Sequence, residues 1–162
     1  MLSERLEKEL NSQINKEFYA SYLYLSMAAY AEDIGLEGIA HWFRLQSEEE
    51  YEHAMKIYEF VNEKGGRVVL EAIDKPQTEY KSVKQLFELA LEHEEYVTDS
   101  INKLVDLAIA EKDHSAVVFL QWFVEEQVEE EDSVNSILDK FKFMREDGMG
   151  ILMLNKDLGS RE

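Results

Sequence analysis

The sequence predicts an all-α protein: a four-helix up-down bundle with one long crossover and a short C-terminal fifth helix. Three observations predict it. Apolar residues recur at helical spacing over four long segments, a single proline and seven glycines leave those segments uninterrupted, and one aperiodic stretch, residues 65 to 81, divides them into two pairs.

In the first segment the apolar stripe runs through Leu6, Leu10, Ile14, Phe18, Tyr22, Leu25 and Ala29, then halts near Asp33 to Gly35. The second carries Ile39, Phe43, Ala54, Ile57 and Val61 and ends at Gly65-Gly66, a helix-stop signal. Beyond the stretch with Pro76, a third stripe comprises Val83, Phe87, Ala90, Val97, Ile101, Val105 and Ala108. Glu111 to Asp113 form a short connection to the fourth, which holds Ala116, Leu120, Phe123, Val134, Leu138 and Phe141 and closes before Gly148 and Gly150. Ile151 to Leu158 remain for the fifth helix.

Short links make the first and second helices, and the third and fourth, antiparallel neighbours. The middle link is longer. A helix of about 29 residues spans roughly 43 Å, whereas about 17 residues of extended chain reach roughly 58 Å. The chain can therefore return along the whole bundle and leave the second and third helices parallel.

Bulk composition narrows the function. With 162 residues and 45% hydrophobic content, residues 1 to 162 form one domain with a substantial core. Cysteine is absent, which excludes disulfides, thiolate metal sites and iron–sulfur ligation. The beginning MLSERLEKEL is amphipathic and charged, with no signal-peptide run, and no apolar stretch approaches membrane-spanning length, so a soluble, cytoplasmic protein is expected. A net charge of −18 repels nucleic acid and anionic membrane and attracts metal cations.

The decisive pattern lies inside the stripes. Glu50 is centred in the second with His53 one turn on, Glu94 is centred in the third, Gln127 in the fourth with Glu130 beside it, and Glu17 falls toward the edge of the first. Burying an ionised carboxylate costs several kcal/mol unless an opposite charge meets it. If the helices begin near residues 4, 36, 82 and 114, all these positions lie about mid-helix and share one layer whichever way each helix points. A bound multivalent metal accounts for such a layer. Glu50 and His53, at i and i+3, offer oxygen and nitrogen side by side, and a carboxylate can bridge two ions, which favours two metals over one. Hard carboxylates with a single histidine suit iron, manganese or zinc.

Glu17 with Tyr24, Glu49-Glu50-x-x-His53, Glu94, and the run FLQWFVEEQVEEE from Phe119 to Glu131 together resemble the non-haem bacterial ferritins, iron-storage proteins of the ferritin-like superfamily. The resemblance covers essentially the whole chain. It implies a first iron held by Glu17, Glu50 and His53, and a second held by Glu50, Glu94 and Glu130, with Glu50 bridging. Gln127 would stand just outside the ligands and Tyr24 would hydrogen-bond the site. A third iron position would map to Glu49, Glu126, Glu129 and the shared Glu130. The family's activity is ferroxidase, with dioxygen or hydrogen peroxide accepting electrons from Fe(II), and its assembly is a homo-oligomeric, 24-subunit hollow cage that stores ferric mineral.

Departures from relatives within the superfamily are informative. Gln127-x-x-Glu130 stands where bacterioferritins repeat ExxH, and Tyr51 stands where their haem-ligating methionine would be, so no haem is expected. Rubrerythrins need a cysteine-rich iron domain. Animal ferritins place two acidic residues along a three-fold channel; counting back from Glu126-Gln127, these positions fall on Val117 and Leu120, which turns iron toward another opening. Trp42, Trp122 and the other tyrosines read as packing, and His41, His93 and His114 as ordinary helix residues. Two other functions compete with iron storage: a di-metal oxidase or peroxidase acting on an organic substrate, and a non-catalytic acidic scaffold.

Overall fold

The computed structural model describes residues 1–144 and 148–162. Helices α1 (Glu4–Asp33), α2 (Glu37–Glu63), α3 (Val83–Ala110), α4 (His114–Phe141) and α5 (Gly148–Leu158) make up its regular structure, and no strand occurs among the described residues. Side chains start three of them. Ser3 accepts from the Leu6 amide at 3.0 Å, Ser82 from Gln85 at 3.1 Å and Asp113 from Ala116 at 3.1 Å, each satisfying a donor that has no partner within its helix. The ends of α1, α2 and α3 share one geometry, in which a residue of positive φ lets the next amide reach back: Leu36 to Ala31 O at 2.8 Å, Gly66 to Val61 O at 2.9 Å and Asp113 to Ala108 O at 3.0 Å. Gly35 and Gly65 hold the positive φ in the first two, but Lys112 holds it in the third at 58°.

α1 packs along α2, α3 along α4, and α1 also meets α3. The crossover is pinned to α1 by side chains spaced along that helix. Asn11 donates to Arg67 O at 3.0 Å and accepts from the Val69 amide at 2.7 Å, Asn15 donates to Ala72 O at 3.1 Å, Ser26 to Gln77 O at 2.7 Å and Tyr30 to Tyr80 O at 3.1 Å. Because residue numbers rise together along both strands of this seam, the crossover runs parallel to α1 and delivers α3 parallel to α2.

Buried apolar residues fall into two bodies. One joins late α1, early α2, early α3 and late α4, from Ala20, Tyr24 and Phe43 to Phe87, Val134 and Phe141. The other joins early α1, late α2, late α3 and early α4, from Leu6 and Ile14 to Ile57, Ile101, Leu120 and Phe123. Between them lies a layer of buried polar groups: Gln13, Glu17, Gln46, Ser47, Glu50, His53, Glu94, Ser100, Gln127 and Glu130. α5 crosses α2 at Gly38, where an added Cβ would come within 1.8 Å of Asn155 O, and Asn155 Oδ1 accepts from the Ile39 amide at 3.0 Å. Glycine is what allows that approach.

Two expectations need correction. In α1, stepping by four residues drifts about 40° per step from the true face, so Tyr22 and Leu25 emerge at 49% and 48% exposure while Gln13, Glu17, Leu23, Tyr24 and Met27 are buried. Glu17 therefore sits on the buried face and not at its edge. In α4, Leu120 is fully buried in the second apolar body and cannot line a channel between subunits, whereas Val117 is partly buried against that body.

Candidate metal centre

Each of the four long helices contributes a carboxylate to the polar layer, and the spacing within each helix decides which way it points. One ligand atom from each of Glu17, Glu50 and His53 comes within 4.8 Å of the other two, and the same holds for Glu50, Glu94 and Glu130. Glu50 belongs to both groups. A third group, His53, Glu126 and Glu130, adjoins them on the α4 side, with His53 Nε2 3.6 Å from Glu126 Oε1.

Side-chain amides hold one oxygen each of Glu17, Glu130 and Glu94. Gln13 donates to Glu17 Oε1 at 2.8 Å, Gln46 to Glu130 Oε2 at 2.9 Å, and Gln127 to Glu94 Oε2 at 3.1 Å. Tyr24 donates its hydroxyl to Glu94 Oε1, and His53 Nδ1 lies 3.3 Å from Glu50 Oε2. Glu17 Oε2 and Glu50 Oε1 are buried with no partner. Buried carboxylate oxygens are costly as anions in a dry interior, and that cost appears in the proton affinities of Glu50, Glu94 and Glu130. Burial first, then the charges of Glu94 and Glu17, raises the Glu50 carboxyl well above its ordinary range. Burial pushes Glu94 up to about 7 against the opposing hydrogen bonds from Tyr24 and Gln127, and pushes Glu130 up to about 8 with help from the Glu94 charge. The Tyr24 phenol is raised by burial and by the Glu94 and Glu50 charges, so it stays a hydrogen-bond donor.

This donor set fits a pair of divalent cations. Glu17, Glu50, Glu94 and Glu130 carry four negative charges when ionised, matching two divalent ions, and the two orphaned oxygens supply lone pairs that nothing else uses. Carboxylate oxygens with one imidazole suit hard to borderline ions, and no thiolate competes, since the chain has no cysteine.

The sequence pattern of the family described as "Ferritin-like domain" matches residues 7–144. The chain belongs to the ferritin family. Among this ferritin's relatives, a Haemophilus influenzae protein described as "Probable bacterial non-heme ferritin-like protein" is 48% identical over 160 residues, covering 99% of this chain and 97% of the relative. The bacterial non-heme ferritin of Campylobacter jejuni is 40% identical over 156 residues, covering 96% and 93%. The open pore ferritin of the hyperthermophilic archaeon Archaeoglobus fulgidus superposes with a TM-score of 0.98 at 48% identity over the full length of both chains.

The remaining residues singled out in the sequence are placed unevenly. Gln127 is buried beside Glu94 and also donates to Thr98 Oγ1 at 3.2 Å, and Glu126 is half-buried facing His53. Glu129 is exposed. Glu49 is gripped by the Arg161 guanidinium, with contacts of 2.8 and 2.9 Å to its two oxygens. His41 is not solitary, since its Nε2 lies 2.7 Å from Arg161 O. His93 packs edge-on to Tyr24, and burial lowers it to about 4.

Sequence reasoning passed over the residues that hold the ligands in place. Gln13 and Gln46 each stand one turn before a glutamate of the layer, Glu17 and Glu50, and that repeated four-residue spacing was the available signal. Ser100 donates to Gln13 Oε1 at 2.6 Å and accepts from Lys16 Nζ at 2.7 Å, so a cation stands at the far end of that chain as well. Arg161 gave no sequence signal.

Proposed function

We propose that this ferritin stores iron and oxidises Fe(II) at the carboxylate layer, with Glu17, Glu50 and His53 taking one ion and Glu50, Glu94 and Glu130 the other. The observation that carries the reading is the pair of ligand triads sharing Glu50, which leaves buried oxygens of Glu17 and Glu50 without any other partner. A non-catalytic scaffold would have no use for them.

Iron is here the substrate. Two Fe(II) ions match the four carboxylates in charge, and the protons that burial holds on Glu50, Glu94 and Glu130 leave as the metal enters. Holding both ions about 3.5–4 Å apart lets one oxidant collect an electron from each, with dioxygen or hydrogen peroxide as the acceptor. Oxidation adds two positive charges that the carboxylates do not match, so the ferric pair takes up hydroxide and leaves for the mineral. Tyr24 and Gln127 keep Glu94 oriented throughout, since both donate to it in the absence of metal.

The same reading includes a third iron position at Glu49, Glu126, Glu129 and Glu130, no haem, a cytoplasmic location, and a homo-oligomeric cage of 24 subunits without nucleic-acid or membrane partners. Exposed apolar side chains on the outer helix faces and the crossover, such as Leu25, Leu70 and Val128, support burial between subunits. No described helix is long and apolar enough to cross a membrane. The test is to measure the assembled mass and then add Fe(II) in air, following ferric absorbance and the iron retained per assembly. Fast oxidation with hundreds of ions retained is expected; a monomer or dimer that retains none would overturn the storage function.

A further inference from the structure

Arg161, beyond α5, makes more contacts than a surface arginine needs. Its Nη2 spans both oxygens of Glu49, its Nη1 lies 2.7 Å from Gln46 Oε1 and 3.4 Å from Trp42 O, and the guanidinium stands 5.1 Å from the centre of the Trp42 ring. Its carbonyl is tied to His41.

The contact with Gln46 has a logical consequence. A guanidinium only donates, so Gln46 must turn its oxygen outward to Arg161 and its amide NH2 inward, where it meets Glu130 Oε2 at 2.9 Å. With the amide reversed, its oxygen would face a carboxylate oxygen. The contact with Glu49 has a second consequence. Glu49 is the carboxylate nearest in sequence to the bridging Glu50, yet its two oxygens are already occupied by a cation that belongs to the chain.

We propose that Arg161 is a positioning residue of the di-iron centre, which orients Glu130 through Gln46 and at the same time holds Glu49 away from metal until a competing cation displaces the guanidinium. This rests on the di-iron reading given above. Iron at the accessory position is then coupled to release of the segment after α5, because Glu49 cannot serve both cations with the same oxygens.

The test is anaerobic titration of the metal-free assembly with Co(II), read by its visible absorption bands, alongside KM and kcat for Fe(II) oxidation. In Arg161→Gln, Co(II) at the position containing Glu130 is expected to bind about 10-fold more weakly, the typical effect of removing a group that orients a ligand. A further equivalent, recruited by the released Glu49, is expected to bind about 10-fold more tightly, since a competing positive charge has gone. Gln46→Met should reproduce only the weakening, and Arg161→Gln should add nothing to it in that background. Glu49→Gln should abolish only the tightening. Arg161→Lys keeps the charge but lacks the fork that reaches both partners, so it should fall between the wild type and Arg161→Gln.

An Arg161→Gln titration like the wild type, a weakening by Arg161→Gln that persists undiminished in the Gln46→Met background, or a tightening that persists undiminished in the Glu49→Gln background would overturn the proposal. So would full rescue by Arg161→Lys. If Arg161→Gln does not assemble, Gln46→Met alone decides: an unaltered Glu130 position overturns the relay. A wild-type protein with no tight Co(II) equivalents and no Fe(II) oxidation would refute the di-iron centre itself, an outcome distinct from an active wild type with an inert Arg161→Gln.

Discussion

At Phe87 the bundle is held by side chains complete in themselves: the ring stacks on Phe43 with centroids 5.0 Å apart, meets Trp42 at 5.5 Å and Phe141 at 6.1 Å, and is fully buried. Two turns further along α3 and α2, the same helices meet through Glu94 and Glu50, equally buried, one of them with an oxygen that has no partner. The apolar bodies stabilise the fold, and the layer between them is tolerated because they do. Removal of a buried group should therefore have opposite consequences in the two regions.

The largest expected effect is at the apolar end. Phe87→Ala should destabilise the protein by about 3–5 kcal/mol through lost transfer energy and the cavity left behind, read as a lowered denaturant midpoint. Initial iron oxidation by the protein that remains folded should change little, because Phe87 belongs to the first apolar body and stands two turns before Glu94 on α3. A comparably large loss of rate per folded assembly would break the division between the regions.

Next comes the bridging ligand. Glu50→Ala should slow initial Fe(II) oxidation by at least about 100-fold, more than any other single ligand change and more than His53→Ala, because Glu50 alone belongs to both triads. As metal-free protein the same variant should be no less heat-stable than the wild type, since like-charge repulsion among buried carboxylates is relieved. Rapid mixing and a melting curve on one preparation read both. An unchanged initial rate would sink the ligand assignment, and a large loss of apoprotein stability would sink the claim that the layer is carried by its neighbours.

The division itself was legible in the sequence at α2, α3 and α4, where Glu50, Glu94 and Gln127 sit among residues such as Phe43, Val97 and Phe123 that are all buried. It was less legible at α1. There an apolar series can be traced along two faces, and only the geometry separates Phe18 and Tyr22 from the buried face carrying Gln13, Glu17 and Tyr24. The crossover could be given a reach but not a track, because its pins are asparagine, serine and tyrosine side chains binding backbone carbonyls, a chemistry with no periodicity of its own. Leu120 shows the limit of counting from a family motif: the count reaches the right helix, but it does not say which face a residue occupies. The hold of Arg161 on Glu49 depends on how α5 crosses α2, and no local pattern near residue 161 encodes that crossing.

A pH series sharpens the comparison without mutation. Glu50, Glu94 and Glu130 bind protons more tightly in the folded protein than the ordinary value of 4.5, with Glu94 at about 7 and Glu130 at about 8. Between these limits the native state holds more protons than the unfolded one, so stability falls as pH rises. Metal-free protein should accordingly have its melting temperature lowered as pH rises from about 5 through about 8, with part of the loss arriving as Glu94 and then Glu130 ionise. Bound divalent metal should flatten or reverse the slope, because metal affinity grows as the ligands lose their protons. A metal-free melting temperature that rises over this window would show that the carboxylates are compensated in a way the geometry does not provide. The Glu50→Ala variant should show a shallower slope than the wild type.

The smallest effect lies outside both regions, at the turn between α3 and α4. Gly35 and Gly65 end α1 and α2 in the left-handed conformation, but Lys112 takes that role at a φ of 58° with its side chain exposed. A residue with a Cβ spends about 1–2 kcal/mol there, while glycine would lose some 0.5–1 kcal/mol more backbone entropy on folding. The balance favours glycine slightly. Lys112→Gly should raise stability by about 0.5–1 kcal/mol, provided the two hydrogen bonds that close the turn, from Lys112 to Ile109 O and from Asp113 to Ala108 O, both 3.0 Å, are kept. Neither iron oxidation nor the pH slope should move, since the turn lies at the far end of the second apolar body from the carboxylates. Chemical denaturation of the metal-free assembly reads the gain, and a loss of stability would mean that the Lys112 side chain makes a contact between subunits worth more than its backbone strain.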